Sequence, residues 1–282
     1  LKIATCRPLP EPDVDELLLL DALREVGVDA RMTPWREDID SADATPTIIR
    51  STWDYIHHVD DFLYWAEAAS SRAPLWNPID IIRRNVHKSY LLDLQMRGIP
   101  VTPTVLARRS DPRGLAEIVS GSRWTDVVIK PAVGAGSFET HRLRADDPCC
   151  NEVFSKLCNE RDVLIQPYLP SVEGHGERAL VWIDGEFTHA VRKSPRFADG
   201  AESVSEALPI SSAEFALGHA ALRDIADRLL YARVDVAPGF DGMPLLMELE
   251  LIEPSLFLMQ NPRALQRLVE GIRRRLQSAA RY

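Results

Sequence analysis

The sequence predicts an α/β protein with three regions, an N-terminal one built on an open parallel sheet followed by two α+β units. Three observations carry this. Strands and helices alternate over about the first 85 residues, the pattern of a parallel sheet covered by helices. Further on, the pattern changes to strand pairs joined by tight turns, with Asp184-Gly185 and Asp241-Gly242 as hairpin signals. Ahead of both turns, "QPYLP" at 166–170 ends a strand in prolines and separates two units.

The elements follow in order. "LKIATC" reads as a strand, and "DVDELLLLDALREVG" as a helix with an acidic first turn and a stop at Gly27. "VDARMTPW" and "TIIR" are further strands, and "VDDFLYWAEAASS" is a helix. "DIIRRNVHKSYLLDLQMRG" is also helical, with a candidate break near Asn85. "RSTWDY" follows the strand "TII" at a carboxyl end, where open α/β sheets gather ligands. "WTDVVIKPAVGAGSFETHRL" reads strand, glycine turn, strand. A helix is expected from about Ala213 to Leu230 and another from Pro262 to Ala279.

The 282 residues are 45% hydrophobic and 27% charged, ordinary values for a protein with a substantial core. A net charge of −9 argues against a nucleic-acid surface, and Arg273–Arg275 reads as a solvated, dipole-favoured helix end. Four cysteines show neither zinc nor disulfide spacing, so a reducing cytoplasm is the expected setting. No apolar run exceeds five residues, and Leu17–Leu20 lies between acidic residues, so neither signal peptide nor membrane span is expected.

Candidate chemistry starts at "LLMELELIEP". Residues two apart on a strand share a face, so Glu248 and Glu250 point together while Leu249 and Leu251 point away. "RVDV" brings Asp235 onto a neighbouring strand. Three carboxylates on one face suit Mg²⁺ or Mn²⁺ completed by water and phosphate oxygens. The alternative is that they line the solvent face of a half-exposed strand. Lys130 ends an apolar run before a loop with Gly134 and Gly136, a combination that can cradle phosphate, although a lysine beside a glycine hairpin is also common structure. Lys88 alone reads as a solvated helical lysine. Glu173, Glu177, Arg178, Arg192, Lys193 and Arg196 form a charged group after "QPYLP", suited to anions or to a strand rim. The histidines show no metal spacing.

Taken in order, the helical lysine, "VIKP" with its glycine loop, "IQPYLP", "GERALVWIDGE" and "VDV…LMELE" resemble the ATP-grasp superfamily over essentially the whole chain, in the branch of glutathione synthetase and D-alanine–D-alanine ligase. "ATCRPLPEPDVDE", "RSTWDY", "HKSYLLDL" and "LLMELELIEPSLF" are similar to the cyclo-ligase family of D-cycloserine biosynthesis, which acts on O-ureido-D-serine. The resemblance implies an N-terminal α/β domain over 1–86, a central lid domain over 87–168 and a C-terminal domain with the metal site over 169–282, the last two clamping ATP. Lys88 and Lys130 would hold phosphates under the Gly134–Ser137 loop, with Gly136 inside it. Gln166, Pro167, Tyr168 and Leu169 would form the adenine hinge, with Glu173 toward the ribose. Arg178, and either Arg192 or Lys193, would face the transferring phosphate or the substrate carboxylate. Asp235, Glu248 and Glu250 would hold Mg²⁺, with Mn²⁺ possible; many relatives carry Asn at the last position. Ser255 would lie near the substrate, and Glu253 would either support the metal ligands or touch substrate. Ser51, Thr52, Trp53 and Asp54 would wall an amino-acid pocket.

The implied activity is an ADP-forming ligase that activates a carboxylate as an acyl phosphate and closes a ring. An intermolecular amide ligase and a non-catalytic nucleotide-binding module are the alternatives; retention of both lysines and all three acids weighs against the module. The expected partners are ATP and a small amino-acid-like substrate, without nucleic acid or membrane, and with a homo-oligomer left possible.

Overall fold

A computed structural model of the chain describes residues 1–39, 41–194 and 203–279. Arg196 therefore lies outside the described residues. The N-terminal region runs β1 (Lys2–Thr5), α1 (Val14–Glu25), β2 (Arg31–Pro34), β3 (Thr47–Ser51), α2 (Val59–Arg72) and β4 (Leu75–Trp76). Its sheet is parallel throughout, in the order β2-β1-β3-β4. Asp13 caps α1 by accepting from Asp15 N at 2.9 Å.

Two short helices, α3 (Ile79–Asn85) and α4 (Tyr90–Met96), come next, so the long helical pattern does break beyond Asn85. Lys88 sits in that break rather than in a helix. The middle region contains β5 (Val105–Ala107), α5 (Leu115–Ile118), β6 (Asp126–Pro131), β7 (His141–Arg144), α6 (Pro148–Glu160) and β8 (Val163–Pro167). Its antiparallel sheet has the order β5-β8-β6-β7.

The last region is α7 (Ser171–Gly174), β9 (Glu177–Ile183), β10 (Glu186–Lys193), α8 (Ser212–Leu222), β11 (Tyr231–Pro238), β12 (Pro244–Glu250) and α9 (Pro262–Ala279). Its antiparallel sheet runs β10-β9-β11-β12. Asp184 and Gly185 both take positive φ (46° and 101°), as the β9–β10 turn demands. A register shift between Asp235 and Val236 leaves Met247 as an extra residue on β12, since Asp235 faces Glu248 and Val236 faces Leu246.

The alternation of this third sheet divides its faces. Leu180, Trp182, Val234, Val236, Leu249 and Leu251 pack in one core with Leu91 and Leu94 of α4 and Leu217 and Ala221 of α8. Ala179, Val181, Ile183 and Tyr231 pack in another with α1 and α9. Asp235, Glu248 and Glu250 fall on the second face by parity.

Two expectations change. The helix after residue 212 is shorter than the sequence pattern indicates: α8 stops at Leu222 because Leu229 and Leu230 are buried and Leu230 N donates to Asn77 Oδ1 at 2.8 Å. The arginine run in α9 is not simply solvated. Arg274 and Arg275 pair with Asp184, and Arg275 Nη2 donates to Leu229 O at 2.9 Å, so the helix clamps the β9–β10 turn. Among the described residues no helix is long and apolar enough to cross a membrane.

Asn77 ties the N-terminal region to the third sheet. Its Nδ2 donates to Tyr231 O and Leu251 O, each at 2.8 Å, and the residue is fully buried. Asn85 does the same for β12, donating to Leu249 O at 2.8 Å and accepting from Leu251 N at 2.9 Å. Asn77→Leu orphans three buried backbone groups, so stability should fall by about 3 kcal/mol or more. Urea unfolding checks this, with exposed Met96→Ala, expected to change stability by less than ~0.5 kcal/mol, as the control.

Candidate active site

The carboxylate face of the third sheet meets the second sheet and the break between α3 and α4. On β11 and β12, Arg233 pairs with Glu250 and Asp235 with Glu248 in register. Arg233 Nε and Nη2 donate to the two Asp235 oxygens at 2.8 Å each, and Nη2 also contacts Glu250 Oε1. From β10, Lys193 Nζ reaches Asp235 Oδ2 at 2.8 Å and Glu177 Oε1 at 2.6 Å.

Glu248 receives cations from outside its own sheet. Lys88 Nζ is 2.7 Å from its Oε1, and Lys130 Nζ is 3.5 Å from its Oε2. Lys88 is placed by its turn: its N–H donates to Ala132 O at 2.7 Å, and its Nζ also donates to Gly134 O. The two lysines therefore meet one carboxylate directly beneath the glycine loop. Gly136 and Ser137 take left-handed φ (57° and 62°), which turns that loop back on itself. Phe138 anchors it, packing edge-on to His57 at 5.1 Å with the Arg161 guanidinium 5.6 Å away, while Arg161 pairs with Glu139 at 2.8 Å.

The charges tune one another. Burial opposes ionisation of Asp235, yet Arg233 and Lys193 outweigh it and hold its carboxyl well below the usual range. Burial likewise works against Glu248, and Lys88 and Lys130 prevail. Glu250 goes the other way, up to about 7, because burial and neighbouring Asp235 and Glu248 overcome the shared Arg233. Glu177 also rises to about 7, by burial against the pull of Lys193. Glu253 rises to about 8, through burial and then Glu250.

The structure brings together Lys88, Lys130, Lys193, Asp235, Glu248 and Glu250, with Glu253 close enough to feel Glu250, Lys88 and Glu248. It does not bring Arg178 or Arg192 there. They face each other in register on the opposite face of β9 and β10 from Lys193 and Glu177. Arg178 is bound by Glu214 (Nε–Oε1 2.7 Å) and Pro209 O (2.7 Å), bracing the α8 capping box, and Arg192 is exposed. Between the two residues named for one role, Lys193 is the one at the carboxylates.

At the hinge, Gln166 turns its amide inward to Thr104 Oγ1 at 2.9 Å, and Tyr168 N donates to Asp126 O at 2.9 Å as Pro167 ends the strand. The Tyr168 ring lies 3.7 Å under the Arg142 guanidinium, and its hydroxyl donates to Glu173 Oε1 at 2.6 Å. Glu173 also pairs with Arg142 at 2.8 Å, and Leu169 is buried beside them.

The 51–54 segment splits. Ser51 is bound to Thr5 (2.8 Å) and Glu16, and Asp54 accepts from Trp35 Nε1 at 2.7 Å, so both serve the N-terminal region itself. Trp53 Nε1 donates to Glu253 O at 3.1 Å, and the buried Thr52 hydroxyl has no partner among the described residues. Ser255 contributes its carbonyl oxygen, 3.4 Å from Arg233 Nη1.

Sequence reasoning missed Arg233 and Arg50. Arg233 was legible in principle, two residues before Asp235 on the same strand face. Arg50 is an arginine closing an apolar strand; it is buried, donates to Pro254 O at 2.7 Å and stacks 5.0 Å from the Tyr231 ring.

The chemistry of this donor set fits a hard divalent cation: all ligand atoms would be carboxylate oxygens, and Glu248 and Glu250 are partly open, at 22% and 28% side-chain exposure. Among the described residues, no cluster of three His, Cys, Asp or Glu side chains closes on a common point by itself. An ion there would share its oxygens with a bound ligand.

Comparison with known proteins bears on the family and the fold. Residues 1–77 match the family described as the N-terminal domain of D-cycloserine synthetase DcsG. Cycloserine biosynthesis protein DcsG of Streptomyces lavendulae is 30% identical over 285 residues, covering 94% of each chain. The chain belongs to the D-cycloserine synthetase family, and it has the fold of ATP-grasp ligases. A crystal structure of D-cycloserine synthetase DcsG matches this fold with a TM-score of 0.86 at 28% identity, over 98% of this chain and 99% of that one. D-alanine–D-alanine ligase from Bacillus anthracis, solved in complex with ATP, shares the fold with a TM-score of 0.66 at 14% identity, over 99% and 97%.

Glu253 provides a pH test. Its carboxyl rises in the folded state to about 8 from an ordinary 4.5, so the folded chain holds a proton that the unfolded chain releases. Stability from this group is complete below about 4.5 and is lost as pH rises through about 8. The wild-type protein should therefore lose stability relative to Glu253→Gln across that window, checked by thermal unfolding of both at several pH values.

Proposed function

We propose that this chain is the ADP-forming cyclo-ligase that converts O-ureido-D-serine to D-cycloserine, using ATP with Mg²⁺, and Mn²⁺ as a substitute on the same oxygen ligands. The observation that carries it is the meeting of Lys88 and Lys130 on Glu248 beneath the glycine loop, in a chain of this family. Lys88 and Lys130 would hold phosphate oxygens. Asp235, Glu248 and Glu250 would hold Mg²⁺, which when bound would neutralise charge developing in transfer. Adenine would lie along the backbone of 166–169, with Glu173 toward the ribose.

The reaction needs positioning and a dry cleft more than acid–base chemistry. The substrate carboxylate takes the γ-phosphoryl group and ADP leaves. The nitrogen bonded to the aminooxy oxygen then attacks the acyl carbon and expels phosphate, and the carbamoyl group departs as carbon dioxide and ammonia with uptake of water. Arg233 and Lys193, fixed by their acidic partners, would stabilise charge on the transferring group. Domain boundaries at 86 and 168 would assign a single sheet to each domain, with the nucleotide between the second and third.

The test is ADP release with Mg²⁺ and O-ureido-D-serine alone, with the product mass measured. ADP and D-cycloserine should appear together. ADP release only with a pair of amino acids would instead make the chain an intermolecular amide ligase. Lys130→Ala and Glu248→Ala should each reduce kcat/KM by about 10²–10³-fold while the protein stays folded; wild-type rates in both would overturn the assignment.

A further inference from the structure

Five carboxylates gather at the cleft, those of Glu177, Asp235, Glu248, Glu250 and Glu253, against four cations, Lys88, Lys130, Lys193 and Arg233. Four of the acids have an ion-pair partner within hydrogen-bond reach. Glu253 is the exception. Its side chain has no hydrogen-bond or ion-pair partner among the described residues, although the residue is only 8% exposed. A largely buried carboxyl in that condition keeps its proton until something cationic or hydrogen-bonding comes to it.

Its position is held by the backbone on both sides. Trp53 Nε1 donates to Glu253 O at 3.1 Å, and Arg50 Nη2 donates to Pro254 O at 2.7 Å. These bonds run from the carboxyl end of β3, the edge at which an open parallel sheet presents ligand sites. They hold the backbone at Glu253 and Pro254 without using the carboxylate oxygens. Glu253 feels Glu250, Lys88, Glu248 and Arg233, which places it beside the phosphate-binding group and on the N-terminal side of it. The Thr52 hydroxyl, on the same tether, is likewise buried without a partner among the described residues.

We infer that the Glu253 carboxylate is the subsite for the α-ammonium group of the substrate and selects an amino acid over the corresponding plain carboxylic acid. This rests on the cyclo-ligase reading and deepens it. The ammonium supplies the fifth cation, and the carboxylate one carbon away is left to face Lys88, Arg233 and the γ-phosphate. Glu253 is in this role a binding residue, with no proton transferred in the reaction.

The experiment compares O-ureido-D-serine with 3-(carbamoylaminooxy)propanoate, which retains the reacting carboxylate and nitrogen and lacks only the amine. Initial rates of ADP release are measured for wild type, Glu253→Gln and Glu253→Asp, together with the KM for ATP and the melting temperature. Wild type should prefer the amine-bearing compound by about 10²-fold or more in kcat/KM, because a site built for a polar group rejects the analogue without it. In Glu253→Gln the ratio should fall toward one, through a rise in KM for O-ureido-D-serine, with the KM for ATP unmoved. Glu253→Asp should recover some of the preference, which a purely structural role would not give. Turnover of both compounds by wild type without discrimination, or an unchanged ratio in a folded Glu253→Gln, overturns this inference and leaves the cyclo-ligase standing. Absence of ADP release from wild type with either compound overturns both.

Discussion

Arg233 binds two carboxylates with one guanidinium, and the cleft is organised around that sharing. Asp235 is among the most buried charged groups in the protein, on a strand whose alternate residues form a hydrophobic core. Its ionisation is sustained only because two donors from Arg233 and one from Lys193 compensate for lost hydration. Arg233 also contacts Glu250, but burial and the charges of Asp235 and Glu248 prevail there, and Glu250 keeps a carboxyl that binds a proton near neutrality. One acid is thus locked in its charged form while its neighbour remains responsive to an arriving cation.

The second organising contact joins separate regions of the chain. Lys88 reaches Glu248 from a turn between two helices, and the same side chain holds the carbonyl of Gly134. A change in the glycine loop is therefore felt at the carboxylate through one ammonium group. Phe138 and Glu139 give the loop further anchors at His57 and Arg161, so its position is tied to the N-terminal region as well as to its own sheet.

The sequence revealed the parallel character of the first sheet, the two DG turns and the acid pair on β12, because these depend on local propensity and on a period of two. It carried Lys88, Lys130 and Glu248 only in combination, since nothing near "HKSY" says that its lysine meets a strand 160 residues later. Arg178 and Arg192 show the limit. Their charge suits phosphate, but strand parity turns them toward α8, and the partner that claims Arg178, Glu214, lies in a helix cap far along the chain. The overlong helix after residue 212 failed for a similar reason: Asn77, from another region of the molecule, claims Leu230 N for the sheet. Glu253 was visible as an acid but not as an unpartnered one, because that property belongs to the whole neighbourhood.

The bulge at Met247 has a bearing on how this lineage can vary. By inserting one residue opposite the Asp235–Val236 step, it sets which side of β12 is oily and which is acidic. Losing Met247 itself would close the bulge and leave both pairs in register, whereas losing Leu249 would put Glu248 and Glu250 on opposite faces and turn one of them toward the core beneath α4 and α8. Single-residue length changes in this strand are therefore confined to the bulge itself, and the other place that takes them is the hairpin tip, where Phe240 and Met243 are exposed.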